Sequence, residues 1–266
     1  MLMRILAAAA AAGALMLAGG CAHAVGGSVD VRVMDRATGE TLPMYWQDGK
    51  WWVPGKPGRR YAVALTNRSG GRVLTVLSVD GVNVISGETA ATDQTGYVLS
   101  SGQFAQITGW RKDMSRVAAF EFTSLPNSYA ARTGRPDNVG IIGVAVFRER
   151  MRYVPPPLSK EHRSRNEADS PPAPAAAASN DALGSAEARR AERAQESRIG
   201  TGHGRSEQSV TSYTDFERAS STPDEVITIH YDSRENLVAM GVIPTPRATP
   251  VPFPAAVGFV PDPPRR

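Results

Sequence analysis

Cysteine is nearly missing: Cys21 is the only one in 266 residues. No intramolecular disulfide can staple the fold, and an exported chain with one thiol leaves it open to oxidation unless it is used. Concentrated charge is missing too. The net charge is only +4, and Asp and Glu stay interleaved with Arg, which argues against a nucleic-acid face. The usual catalytic signatures are absent: there is no glycine-serine elbow, no HExxH, and His23, His162, His203 and His230 are scattered. These absences point away from an enzyme and from any cofactor. What remains, with 41% hydrophobic residues, is enough to build a core.

The N-terminus carries the most specific signal. Arg4 precedes an apolar, alanine-rich run at 5–18, and at 14 residues this is too short for an ordinary transmembrane helix. Small residues follow at 18–20, and then Cys21. Residues 1–20 therefore look like a bacterial lipoprotein signal, with Cys21 the acylated residue of a lipid-anchored segment at 21–27. Acylation would use the lone thiol, and several acyl chains together anchor firmly. Ala18 stands where that pattern prefers Leu, and Ala22-His23-Ala24 also has the form of an ordinary secretory cleavage site, which would remove the cysteine. The expected home is the cell envelope, as an outer-membrane lipoprotein facing the periplasm or, alternatively, as a protein secreted to the periplasm.

The centre of the chain is the stretch 61–85, YAVALTNRSGGRVLTVLSVDGVNVI, which reads as three consecutive β-strands. Asp80-Gly81 suits a two-residue turn with positive φ at both positions, pairing Val79 with Val82, Ser78 with Asn83 and Leu77 with Val84. Both faces of that hairpin are largely apolar, so it belongs inside a sheet covered on both sides. Further strands are expected at 29–33, 97–99, 103–108, 117–123 and 139–148, with 109–113 as a connection and a second Asp-Gly hairpin at 45–53. Strands at this spacing, with few helical periods, favour an all-β, antiparallel sandwich or barrel-like domain over 28–153.

After Tyr153 the composition shifts. Residues 154–180 form a linker rich in Pro, Ala and Ser. Residues 181–198 have helix-forming composition and i,i+3 opposite-charge pairs but only Leu183 as a large apolar residue, giving a short solvated helix. Residues 199–243 bring a Gly-rich segment and a last hairpin, VITIHY and LVAMGV, which needs the sheet to dock on. Residues 244–266 are a proline-rich tail without a core.

The hairpin at 45–53 gives the sharpest site inference. Its turn pairs Trp46 with Trp51 and Tyr45 with Trp52 on opposite faces. One pair can enter the core while the other is exposed to a sugar ring or a partner protein; alternatively the aromatics only staple the hairpin and are covered. His203, in Gly-Thr-Gly-His-Gly, would serve a hydrolase-like site only if the last hairpin brought it beside Glu207, Asp232 or Arg135; otherwise the three glycines mark a structural turn whose backbone approaches the sheet closely. Arg132 and Arg135 could hold an anion. Arg111, Lys112 and Arg116 could face acidic lipid headgroups, with a solvated charge run the plainer reading. Asp80, Asn83, Glu88 and Asp93 do not have calcium-loop spacing.

The segments GRRYAVALTNRSGGRVLTVLSVDGVNVISGE, AAFEFTSLPNSYAARTGRPDNVGIIGVAVFRER, GTGHG and YDSRENLVAMGVIP resemble a family of uncharacterised exported proteobacterial proteins. The resemblance covers residues 58–150 and 199–245 and implies that the Gly-His-Gly segment and the last hairpin belong with the sheet domain. It transfers no activity, cofactor or catalytic residue. The expectation is a non-enzymatic envelope protein that binds another envelope protein or a glycan, or recruits a partner by edge-strand addition.

Overall fold

A computed structural model describes residues 24–151 and 198–244. The signal sequence, Cys21, the linker, the charged helix expected at 181–198 and the tail fall outside the described residues, apart from Arg198 and Pro244 at the edges. Among the described residues no helix is long and apolar enough to cross a membrane.

Thirteen strands run in the order β1 (Val29–Asp35), β2 (Tyr45–Gln47), β3 (Lys50–Gly55), β4 (Tyr61–Asn67), β5 (Val73–Val79), β6 (Val82–Asn83), β7 (Tyr97–Leu99), β8 (Phe104–Ile107), β9 (Gly109–Arg111), β10 (Arg116–Ser124), β11 (Ile141–Arg148), β12 (Ile199–Gln208) and β13 (Glu225–Ser233). Among the described residues these strands are accompanied by two short α-helices, α1 (Tyr129–Arg132) and α2 (Arg234–Ala239), and by two single 3-10 turns, Leu125–Asn127 and Pro136–Asn138. One layer is a sheet in the order β2-β3-β13-β11-β5-β6, with β7 also on β5. The facing layer joins β1-β4-β8 to β12-β10-β9. The two parts of that layer meet where Phe122 N–H donates to Arg59 O and Phe120 N–H to Thr108 O. The result is an all-β, sandwich-like domain without a closed barrel.

Residue alternation explains the layers. On β1, Val29, Val31 and Val33 are fully buried while Asp30 and Arg32 turn outward. On β5, Val73, Leu77 and Val79 enter the shared core between layers, whereas Leu74 and Val76 face the other way with Ala145 and Phe147. That outer cluster is roofed by Phe216 and by Arg218, whose guanidinium lies 4.1 Å from the Phe147 ring centroid. Both Asp-Gly turns form as read: Asp48 and Gly49 have φ of 50° and 74°, Asp80 and Gly81 of 54° and 72°, and the registers are Trp46 to Trp51, Tyr45 to Trp52 and Val79 to Val82.

Three expectations need correction. The last hairpin does not form. VITIHY becomes β13, inserted between β11 and β3 and parallel to β3, but LVAMGV follows a helix start. Ser233 Oγ accepts from Asn236 N–H at 3.1 Å and Asp232 accepts from Ser233 N–H and the Asn236 amide, so the cap closes a helical turn before the apolar run can extend. Leu237 then packs with Val242 and Ile243 on Tyr45 and Trp52. Second, the Gly-Thr-Gly-His-Gly segment is not a turn but part of the ten-residue β12 on β10. Its glycines do mark close approach: a Cβ on Gly200 would sit 2.6 Å from Ser128 Cβ and Val139 Cγ1. Third, part of the presumed connection at 109–113 is the strand β9.

Candidate functional site

The β2–β3 hairpin lies at the edge of the larger sheet and divides its four aromatics unequally. Tyr45 and Trp52 lie under α2, and Trp52 also meets His230 at 4.9 Å between ring centroids. Burial, then the nearby Lys50 and Arg198 charges, pull the His230 pKa below its usual value. On the opposite face Trp51 packs on the main core, while Trp46 is 55% exposed. The two rings stand 4.9 Å apart at 57°, a tilted pair and not a flat platform. The hairpin is braced by a 3.4 Å bond from Gln47 Nε2 to Met240 O. A tryptophan is thus held half out of the protein on a stiff ribbon.

Other candidates are dispersed. His203 is exposed on β12, 5.5 Å from the Tyr129 ring. Arg135 reaches the same ring, but its guanidinium donates to Gly87 O and Thr133 Oγ1. Arg132 is exposed on α1, and the two arginines form no common anion cradle. Glu207 accepts from Arg36 and Arg60 at 2.5 and 2.6 Å; burial works to raise its pKa, yet these two cations hold it below the usual range. Asp232 is buried beside Ile199. Glu207 and Ile199 each lie four residues from His203, roughly 13 Å along a strand in opposite directions. His203, Glu207 and Asp232 therefore do not meet in one cleft. Among the described residues no group of three His, Cys, Asp or Glu could hold a metal ion.

A polar centre that sequence reading missed sits in the core. Asp80 is fully buried, and its carboxylate accepts from Tyr231 O–H (2.5 Å), Gly140 N–H (3.0 Å) and Thr201 N–H (2.8 Å). Thr201 Oγ1 also lies 2.7 Å from Tyr231 Oη and 2.6 Å from Tyr61 Oη. With Tyr231 donating to Asp80, each hydroxyl donates once only if the chain runs from Tyr61 to Thr201 to Tyr231 to Asp80. Burial pushes Asp80 up to about 6 against these hydrogen bonds, and burial, with Asp80 nearby, raises both tyrosines well above their usual value. Three strands (β4, β12 and β13), the turn and Gly140 just before β11 are joined here, and the side chains of Tyr61, Asp80, Thr201 and Tyr231 are all buried. The only sequence signal was the turn aspartate; Thr201 and Tyr231 lie 121 and 151 residues away.

Among the described residues two further surface grooves bear on function. The larger, about 1190 Å³, runs past Arg72, Arg148 and Arg150, each already paired, with Glu149, Asp224 and Glu217 respectively. The smaller, about 600 Å³, borders β7. No family model, curated protein or solved structure matches the chain, so these geometries carry the functional reading alone.

Proposed function

We propose that this is a non-enzymatic, lipid-anchored cell-envelope protein that works as an interaction module, meeting a partner protein through Trp46 on the β2–β3 hairpin. The observation that carries it is the exposure of that one ring. A tryptophan left 55% exposed on a hairpin whose other three aromatics are packed offers a partner a large, firmly held ring, and tryptophan is among the residues enriched at binding hot spots. The tilt of Trp46 against Trp51 suits a pocket on a protein better than a stacked sugar ring. Dispersal of His203, Glu207 and Asp232 supports a binding role over a hydrolytic one. The envelope location rests on the signal-like N-terminus, and Cys21 is the proposed anchor.

Affinity capture from envelope extract, run in parallel with the wild-type chain and Trp46→Ser, tests the contact. One or more envelope proteins should be retained by the wild type and reduced at least about tenfold by the substitution. Equal retention by both would overturn the Trp46 reading. Mass spectrometry of the mature N-terminus tests the anchor: an acylated Cys21 supports it, and a chain starting at Val25 overturns it.

A further inference from the structure

Strand β7 has one open edge, and the Asp80-Gly81 turn shows which groups line it. In a two-residue hairpin the residues flanking the turn exchange both backbone bonds, and bonded pairs then recur at every second residue. Val79 therefore bonds Val82, and Leu77 O accepts from Val84 N–H at 3.1 Å. The alternation continues to Thr75 and Val73, which lie opposite Tyr97 and Leu99. Val98 lies opposite Leu74, whose own N–H and C=O point to β11 on the other side. The N–H and C=O of Val98 thus face away from β5, and no hydrogen bond to either is found among the described residues.

Val98 forms part of the lining of the smaller groove, and the segment 211–214 forms another part. That segment is fastened by Thr211 N–H to Met114 O (2.9 Å) and by Arg72 to Thr214 Oγ1 (3.1 Å), and it makes no backbone bond to β7. The lining is mixed: Ile85, Tyr97, Met114 and Tyr213 give apolar surface, with Arg111 and Lys112 beside them. Tyr213 is 88% exposed. Arg111 is spent on Ser209 and the Tyr97 hydroxyl, and Asp113 on Arg116. Lys112 is exposed, and no carboxylate pairs with it among the described residues.

We propose that this groove takes an extended peptide of a partner protein, added as a strand along β7, with an acidic side chain of the peptide reaching Lys112. Backbone bonds to Val98 give the affinity, and the charge at Lys112 with the apolar walls gives the selection. The contact is separate from Trp46 and stands or falls independently of it.

Amide hydrogen exchange of the full chain, read by NMR, tests this with synthetic pools of end-blocked pentapeptides. Without peptide the Val98 amide should exchange freely. A pool with a central glutamate should slow it at least about tenfold, a pool with central lysine should do so much less, and a backbone N-methylated glutamate pool should have no effect. Val98→Pro removes the outward N–H, which an edge strand tolerates, and trims the packing of Val98 on the Leu74–Phe147 cluster; it should melt close to Val98→Ala, which loses similar packing and keeps the N–H, while the glutamate pool shifts the Tyr213 resonances of the alanine variant and not those of the proline variant. The proposal is overturned if no pool slows Val98, or if the methylated pool acts equally. It is also overturned if Val98 is already protected in the free chain, which means its own chain fills the groove, or becomes protected as protein concentration rises, which means a second copy does.

Discussion

Protonation of Asp80 should be linked to stability with a sign opposite to that of the surface carboxylates. Asp80 holds its proton up to about pH 6 when folded, against 3.8 as an unperturbed carboxyl. The folded state therefore binds the proton more tightly, so this contribution is fully present below the unfolded value and is lost as pH rises through the folded one. A shift of about two units is worth roughly 3 kcal/mol in all, of which about 1 kcal/mol falls between about pH 5 and about pH 7.5. Asp35, Glu207 and Asp224 have lowered values; their stabilisation is present above their unfolded pKa and disappears only on acidification below it. His230 does fall in the window. Its lowered value gives stability at neutral pH that is lost as pH falls through 6.5, opposing Asp80. The clean measurement is therefore a difference. Urea unfolding of the wild type and Asp80→Asn at the two pH values cancels His230, and asparagine accepts the φ of 54° at the turn. The stability of the wild type relative to the variant should be about 1 kcal/mol greater at pH 5 than at pH 7.5. A flat difference, or one that favours the wild type more at the higher pH, would refute the linkage.

Three further outcomes follow from the same geometry. Tyr231→Phe removes the hydroxyl that donates to Asp80 and should lower stability by roughly 1.5–3 kcal/mol at neutral pH in urea unfolding; a loss under about 0.5 kcal/mol would mean that the hydroxyl chain contributes little. Gly109→Ala places a Cβ 2.0 Å from Ala118 O, so a destabilisation on the order of 3 kcal/mol is expected by thermal melting, and a neutral result would mean that β9 and β10 are not this close. Trp46→Ser should cost no more than about 1 kcal/mol, the worth of its tilted contact with Trp51, because half of the ring lies outside the protein, while Trp52→Ala should cost about 2 kcal/mol by opening the packing under α2; similar costs for both would contradict the division of the hairpin.

Local chemistry made much of the sandwich legible. Asp-Gly dipeptides between β-branched runs dictated two turns and their registers, and the Val29, Val31, Val33 alternation marked a buried face. What the sequence could not display was assembly between distant segments. Nothing near Trp51 announces that β13, about 180 residues later, runs parallel beside it. Strand β12 escaped notice because its glycines supply no alternating apolar pattern; its place depends on backbone fitting closely against Ser128 and Val139. The helix α2 was misread because LVAMGV has strand-like composition, although Ser233 and Asn236 already form a cap spacing. At the candidate sites the hairpin pairs were readable, but not which ring stays outside, since α2 and the core decide that. The open edge of β7 required knowing that β5 already has β11 on its other side.

The central claim, that Trp46 is where this protein meets its partner, is most directly tested in living cells. A photo-reactive aromatic amino acid in place of Trp46 itself, on the hairpin face away from α2, would capture whatever covers the ring. The account predicts a discrete cross-linked species at this position, with control positions at the exposed Lys50, on the Tyr45–Trp52 face of the hairpin, and at the exposed Thr38 giving none. No adduct at position 46, or an equal adduct at Lys50, would contradict it.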